Sequence, residues 1–217
     1  MKKRFLAALA TGLLVVGMGG VAEAIPYTFY NITNNGDADL STQLLVDVSE
    51  VGGEAVFTFT NDVGTPSSIA QIYFDSISPW MVYDRLIESS GVDFTFAYQT
   101  TYPGNQNLPS GNTIGFAADS YADGEPPVAQ NGIDTAAEYL KIVFDYGSGY
   151  NFDSVINAIN SGGLRIGLHV QAIEKTDTYG GYSDSYVNTP VPEPATMLLF
   201  GTGLAGLAGI ARRRKKA

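Results

Sequence analysis

The chain has 217 residues, a formal net charge of −10 and no cysteine, which excludes disulfides, thiolate metal sites and thiol catalysis. Its positive charge gathers at the two ends: residues 1–24 contribute +2 and residues 195–217 contribute +5, leaving −17 for the stretch between, whose basic residues are Arg85, Lys141, Arg165 and Lys175. Neutralising phosphates takes clustered Lys and Arg, so a nucleic-acid partner is excluded as well.

Residues 1–24 begin with Lys2, Lys3 and Arg4, continue with an apolar run from Phe5 to Val16 and end in Ala22-Glu23-Ala24. A charged start, an apolar middle and a small-x-small end, in that order, predict a signal peptide cleaved after Ala24, with Ala22 and Ala24 as the small residues of the cleavage site. An amphipathic first helix fits poorly, because the run is apolar all round and is followed by Gly17, Gly19 and Gly20.

From Ile25 onward the apolar period is close to two, the mark of half-buried strands. In "QLLVDVSEV" Leu44, Val46 and Val48 alternate with Leu45, Asp47 and Ser49, and "GGEAVFTFTN" sets Ala55, Phe57 and Phe59 against Val56, Thr58 and Thr60. Gly52-Gly53 between them predicts a two-residue hairpin turn, since both can take positive φ. "SSIAQIYFDSI", "GVDFTFAYQT", "EYLKIVFDY" and "GLRIGLHVQAI" read as further strands, the last two with Leu140, Ile142, Phe144 and Tyr146, and Leu164, Ile166, Leu168 and Val170, facing inward. "NFDSVINAINSGG" predicts one short connecting helix with Asp153 as its N-cap and Gly162-Gly163 as its stop. "TTYPGNQNLPSGN" and "DSYADGEPPVAQNG" read as loops. Seven or more short strands with almost no helix predict an all-β fold over residues 25–176: an antiparallel two-sheet sandwich, jelly-roll-like, serving as the ectodomain. Residues 177–190, "DTYGGYSDSYVNTP", read as a polar linker or a last edge strand.

Residues 191–217 form a separate object. The 17 residues from Ala195 to Ala211 carry no charge. As a helix they would span about 25 Å, at the short limit for a hydrocarbon core of about 30 Å. Gly201, Gly203, Gly206 and Gly209 suit a membrane helix, whose small faces permit close packing. A buried soluble helix would need a polar outer face, and Thr196 and Thr202 are too few. A single transmembrane helix over 195–211 is therefore expected. Arg212, Arg213, Arg214, Lys215 and Lys216 favour the cytoplasmic side, as do Lys2, Lys3 and Arg4, which leaves the body on the outer face. Pro192 and Pro194 hold the entry to that helix extended, and Glu193 sits well near its positive N-terminal dipole.

Pro192-Glu193-Pro194-Ala195-Thr196, the glycine-rich apolar run and the Arg/Lys end, in that order, resemble the PEP-CTERM sorting signal of exported bacterial proteins. The resemblance covers about 25 residues; upstream, "LRIGLHVQAI" followed by "GGYSDSYVN" is similar to the end of the variable ectodomains of such proteins. It implies recognition by an exosortase, a membrane-embedded cysteine protease or transpeptidase that cuts near Pro192, Glu193 and Pro194. It further implies export across the inner membrane, transient anchoring there, delivery to the cell surface or medium, and an association with exopolysaccharide and biofilm.

The body offers little catalytic chemistry. His169 is the single histidine and shares the outward face of its strand with Arg165 and Gln171, a solvated position. No Gly-x-Ser-x-Gly elbow is present, and a serine triad would rest on His169 alone. Asp37 with Asp39, or Asp84 with Glu88, could be nominated as a glycosidase pair, but a body this acidic brings carboxylates together by chance. No cofactor is expected beyond calcium, for which "NNGDADL" and "DSYADGE" supply oxygen ligands, with Asp119, Asp123 and Glu125 as first candidates. Trp80, Tyr102 and Tyr121 are the rings that could stack on sugars, which makes a carbohydrate-binding module the alternative function and a glycoside hydrolase a distant third. "NIT" at Asn31–Thr33 fits the glycosylation sequon. The sequence reads as a non-enzymatic, exported envelope or matrix protein.

Overall fold

The computed structural model describes residues 24–99, 106–176 and 180–188. The signal peptide over 1–23, Tyr102 and the anchor segment over 191–217 lie outside the described residues. Among the described residues no helix is long and apolar enough to cross a membrane.

Among the described residues ten strands follow one another: β1 Ile25–Asn31, β2 Leu44–Val51, β3 Glu54–Asn61, β4 Ser68–Asp75, β5 Met81–Glu88, β6 Phe94–Tyr98, β7 Ala118–Gly124, β8 Tyr139–Tyr146, β9 Arg165–Ile173 and β10 Tyr182–Asn188. A short helix α1, Val128–Asn131, precedes β8, and α2, Phe152–Ser161, precedes β9. The strands pair in the order β5-β8-β3-β2-β1-β10-β9-β4-β7-β6, every pairing antiparallel.

The all-β, antiparallel expectation holds, but the two layers are not separate sheets. β1 serves both: Ile25–Thr28 pair with β2, and Phe29–Asn31 pair with β10. One continuous sheet is thereby bent back on itself into a near-barrel. The far edges, β5 and β6, meet through side chains instead of a ladder. Tyr83 and Phe96 stack at 4.1 Å and 6°, and the Tyr83 backbone N–H donates to the Tyr98 hydroxyl at 2.6 Å.

The alternation read from the sequence is what fills the core. Leu44, Val46 and Val48 are buried and lie opposite Asn61, Phe59 and Phe57, and Gly52 and Gly53 close that hairpin at φ +66° and +89°, values open to glycine at little cost. Phe57 and Phe59 from one layer meet Phe74 from the other edge-on at 5.7 and 6.3 Å, and Phe144 closes the cluster at 5.4 Å from Phe74. The helix N-cap is Asn151, whose Oδ1 accepts from Ser154 N at 3.0 Å. Asp153 sits in the first turn instead, where its charge favours the helix dipole.

Three segments depart from the sequence reading. "DSYADGE", expected as a loop, is mostly strand β7, because the small residues Ser120 and Ala122 are buried between the half-buried Asp119, Tyr121 and Asp123. "TTYPGNQNLPSGN" leads into a lid. Leu108 and Phe116, on either side of a 3-10 turn at Gly111–Ile114, pack with Tyr73, Ala118 and Val187 on the outer face of the second layer. Gly167 permits this, since a Cβ there would lie 2.8 Å from Leu108 Cδ2.

The third departure matters most: residues 182–188 are neither linker nor edge strand. β10 lies between β1 and β9, so the folded body runs to Asn188 instead of ending at 176. Its polarity is misleading because most of its buried polar groups are paired, the Asp184 Oδ2 and the Ser185 hydroxyl being the exceptions. Asp184 Oδ1 accepts from Thr33 Oγ1 at 2.6 Å and Asn35 N at 2.8 Å, and Ser185 N donates to Thr33 Oγ1 at 2.8 Å. Asn188 Oδ1 accepts from Ile166 N at 2.7 Å. Satisfied polar groups can be buried where unsatisfied ones cannot.

Candidate functional site

The outward face of β9 carries the one histidine. Arg165, on the same face, is occupied structurally: its Nε and Nη2 donate to the buried Asp75 carboxylate, its Nη1 donates to Ile114 O at 3.0 Å, and its guanidinium lies 5.2 Å from the Phe116 ring. It clamps the lid onto the sheet.

His169 is half-buried instead of solvated. Its Nδ1 lies 2.8 Å from Gln71 Oε1, and Gln71 Nε2 donates to Asp123 Oδ1 at 3.0 Å. A carbonyl oxygen only accepts, so the shorter contact favours the tautomer with the proton on Nδ1, while Gln171 Nε2 lies 3.4 Å from the same nitrogen. Burial pushes the imidazole pKa down, opposed by the charges of Asp123 and Asp184. Ser185 is its cross-strand partner, yet the Ser185 hydroxyl is buried without a hydrogen-bond partner. The nucleophile-to-base bond of a triad is therefore missing from this row.

The calcium candidates are not brought together. Asp119 and Asp123 are four residues apart on β7, about 13 Å along a strand. Asp119 is held by Ile77 N at 2.9 Å and Ser120 Oγ at 3.1 Å, and burial raises its pKa. Asp123 is bonded to Gln71, and Glu125 lies past the strand end, tied through its backbone to Asp93 and Asn131. Among the described residues no three His, Cys, Asp or Glu side chains converge in a way that could hold a metal.

The glycosidase pairs have other work. Asp39 caps Ser41 N at 2.9 Å, a bond that lowers its pKa. Asp84 pairs with Arg85, which also grips both oxygens of Glu54 at 2.8 Å, and Glu88 Oε1 accepts from Phe94 N at 2.6 Å. Trp80 is half-buried with its ring edge-on to Tyr150 at 5.0 Å, and Tyr121 leans on Tyr73 at 6.3 Å, so neither offers an open stacking platform. Asn31 of the sequon is engaged as well, its Oδ1 accepting from Thr33 N and Asn34 N at 2.9 Å.

A carboxylate pair that the sequence reading did not single out is Asp134 with Glu138. Burial, then the hydrogen bond and charge of Glu138, push Asp134 up to about 6. Its signal in the sequence was only a pair of acids four apart in a loop, "IDTAAE", which nothing distinguishes from solvated charge.

Of the sorting residues, Ala24 is described and exposed. Ala22, Pro192, Glu193, Pro194 and the cluster Arg212, Arg213, Arg214, Lys215 and Lys216 lie outside the described residues. What the fold supplies is the place where the sorting segment attaches: the last strand ends at Asn188, inside the sheet and 4 % exposed. Residues 190–215 match the family model described as the PEP-CTERM protein-sorting motif. The chain carries a PEP-CTERM sorting motif.

That match bears out the resemblance carried by Pro192 to Thr196 and the basic end. The PEP-CTERM motif supports an exported protein that is sorted by exosortase-type machinery in the membrane, with transient anchoring before it reaches the surface. No curated protein and no solved structure matches the chain. The motif begins two residues after β10 ends, so the match overlaps none of the described strands.

Proposed function

We propose that this is a non-enzymatic protein of the cell envelope or extracellular matrix, built as a finished β-body on a disposable sorting tail. The observation that carries the reading is the junction. Pro192 follows Asn188 by four residues, a reach of at most about 14 Å, so the cutting machinery would work close against the folded sheet. A cut at Pro192, Glu193 or Pro194 removes none of the ten described strands, because these end by Asn188. The body released in this way keeps its whole core.

The acidic body supports a life outside the cell, where net charge keeps it soluble after release. The expected membrane helix over 195–211 and the basic cluster would hold it until then, and the signal peptide ending at Ala24 would start its export. A link to exopolysaccharide and biofilm belongs to the same proposal and rests on the family resemblance. No specific observation favours the carbohydrate-binding or glycosidase alternatives through the residues nominated for them.

Intact-mass measurement of the mature protein tests the reading. In cells with the sorting machinery, the wild type is expected to lose its C-terminal segment, and a variant with Pro192, Glu193 and Pro194 all replaced by Ala to stay uncut in the membrane fraction. Identical mature masses for the two would refute it.

A further inference from the structure

A cleft of about 260 Å³ opens where the β3–β4 connection, α1 and the end of β9 meet, lined in part by Ser68, Gln130, Asp134 and Lys175. It is smaller than the roughly 300–1,000 Å³ of drug-sized pockets, and suits a metabolite.

Its floor is fixed. Gln43 Nε2 donates to Asn61 Oδ1 and to Ser67 Oγ at 2.9 Å, and Asn61 Nδ2 donates to Ile133 O at 3.0 Å. Ser67 is thereby satisfied, its own hydroxyl donating to Thr65 O at 3.2 Å. Its neighbour Ser68 is not: it is 1 % exposed and its Oγ has no hydrogen-bond partner. A buried hydroxyl left unpaired is destabilising unless something at the cleft supplies the bond.

The charges in the cleft are also incomplete. Arg85 is neutralised by Glu54 and Asp84, Arg165 by Asp75, and Lys141 lies over the Tyr139 ring. Among the described residues Lys175 is the one basic side chain with neither an ion pair nor a ring beneath it, in a body whose charge is −17. On the other wall, Asp134 faces the Glu138 carboxylate, and Glu138 Oε2 already accepts from Asp134 N at 2.9 Å and Thr135 N at 3.0 Å. Burial, then the hydrogen bond and charge of the neighbouring Glu138, raises the Asp134 pKa to about 6. The cleft thus holds an unpaired cation and an uncompensated carboxylate that form no ion pair with each other.

We propose that this cleft binds a small zwitterion of the α-amino-acid class, its carboxylate against Lys175, its ammonium against Asp134, and its polar backbone within reach of Ser68. The aliphatic side chain would lie on Val63, Pro66, Ala129 and Ala172, which with Ser67 complete the lining. A ligand with one charge would satisfy only one wall. This inference is independent of the sorting reading and goes beyond it.

The test is a titration of the isotope-labelled full chain in a sugar-free polyoxyethylene detergent, followed by amide chemical shifts. L-Leucine is expected to shift the amides of Ser68, Asp134 and Lys175 with a dissociation constant in the millimolar range, about −4 kcal/mol. N-acetyl-L-leucine lacks the ammonium and L-leucinamide lacks the carboxylate; each is expected to bind at least about tenfold more weakly. Lys175→Met and Asp134→Asn should each cost about the same, whereas Lys141→Met should change nothing. Lys175 is exposed, so its variant keeps the fold, and an unchanged spectrum away from the cleft verifies that. Equal binding of L-leucine and either blocked form would overturn the proposal. So would tighter binding of glucose at these residues, or no shift with L-leucine at about 50 mM, far above a millimolar constant.

Discussion

Replacing Phe74 by alanine tests whether the two layers are one core. Phe74 is fully buried and meets Phe57, Phe59 and Phe144 edge-on at 5.7, 6.3 and 5.4 Å. Emptying a buried phenylalanine site costs about 3–5 kcal/mol. Edge-on aromatic pairs are worth about 0.5–1.5 kcal/mol each beyond their buried area, and because the rings share neighbours these losses do not simply add. Their geometry places Phe74→Ala at the upper end, about 5 kcal/mol, comparable with the whole stability of a marginal domain. Phe74→Leu keeps most of the volume and is expected to cost about 1–2 kcal/mol. Urea unfolding followed by the fluorescence of Trp80, the one tryptophan, measures both. A Phe74→Ala midpoint within about 1.5 kcal/mol of wild type would mean that the layers are not packed through this ring.

The remaining predictions address the seam, the buried polar strand and the histidine. Tyr83→Ala removes the stack that joins β5 to β6; a loss of about 1–2 kcal/mol is expected, with faster hydrogen exchange confined to β5 and β6. Thr33→Val deletes one of the two donors to Asp184 Oδ1 and the acceptor for Ser185 N, leaving the Ser185 N–H unpaired, and should cost about 1–3 kcal/mol in the same denaturant assay; a neutral result would contradict the buried arrangement of β10. Burial lowers the His169 pKa, so its imidazole should titrate by NMR below the ordinary histidine value of 6.5. The folded state then binds fewer protons than the unfolded chain, so this contribution to stability is fully present above that value and is lost as the pH falls through the lowered folded pKa. His169→Gln should flatten that part of the profile.

How far the sequence could be read depended on where each signal resides. Period-two alternation placed Leu44 to Val48, Ala55 to Phe59, Leu140 to Phe144 and Leu164 to Val170 correctly, because a strand with one face in the core must alternate. The same rule failed on β7 and β10. In β7 the inward residues are alanine and serine, too small to register as apolar, and in β10 the buried Asp184, Ser185 and Asn188 are polar and are stabilised by Thr33, Asn35 and Ile166 from elsewhere in the chain. His169 was assigned to the correct face, but its environment depends on Gln71 and Asp123, which reach it only across two strand pairings. The pairing of Asp134 with Glu138 and its opposition to Lys175 were equally hidden, since α1 and the end of β9 converge only in the folded molecule.

By itself the sequence determined everything that is written contiguously: the strand alternation, the Gly52-Gly53 turn, the charge imbalance and the sorting motif, which a membrane enzyme can read along the chain without a fold. Only the tertiary structure decided that β1 joins both layers, that the polar residues before the motif form an inner strand, and which charges are left unpaired. The reason is range. Backbone period and turn chemistry act between neighbours, whereas burying a polar group depends on partners brought in from more than a hundred residues away.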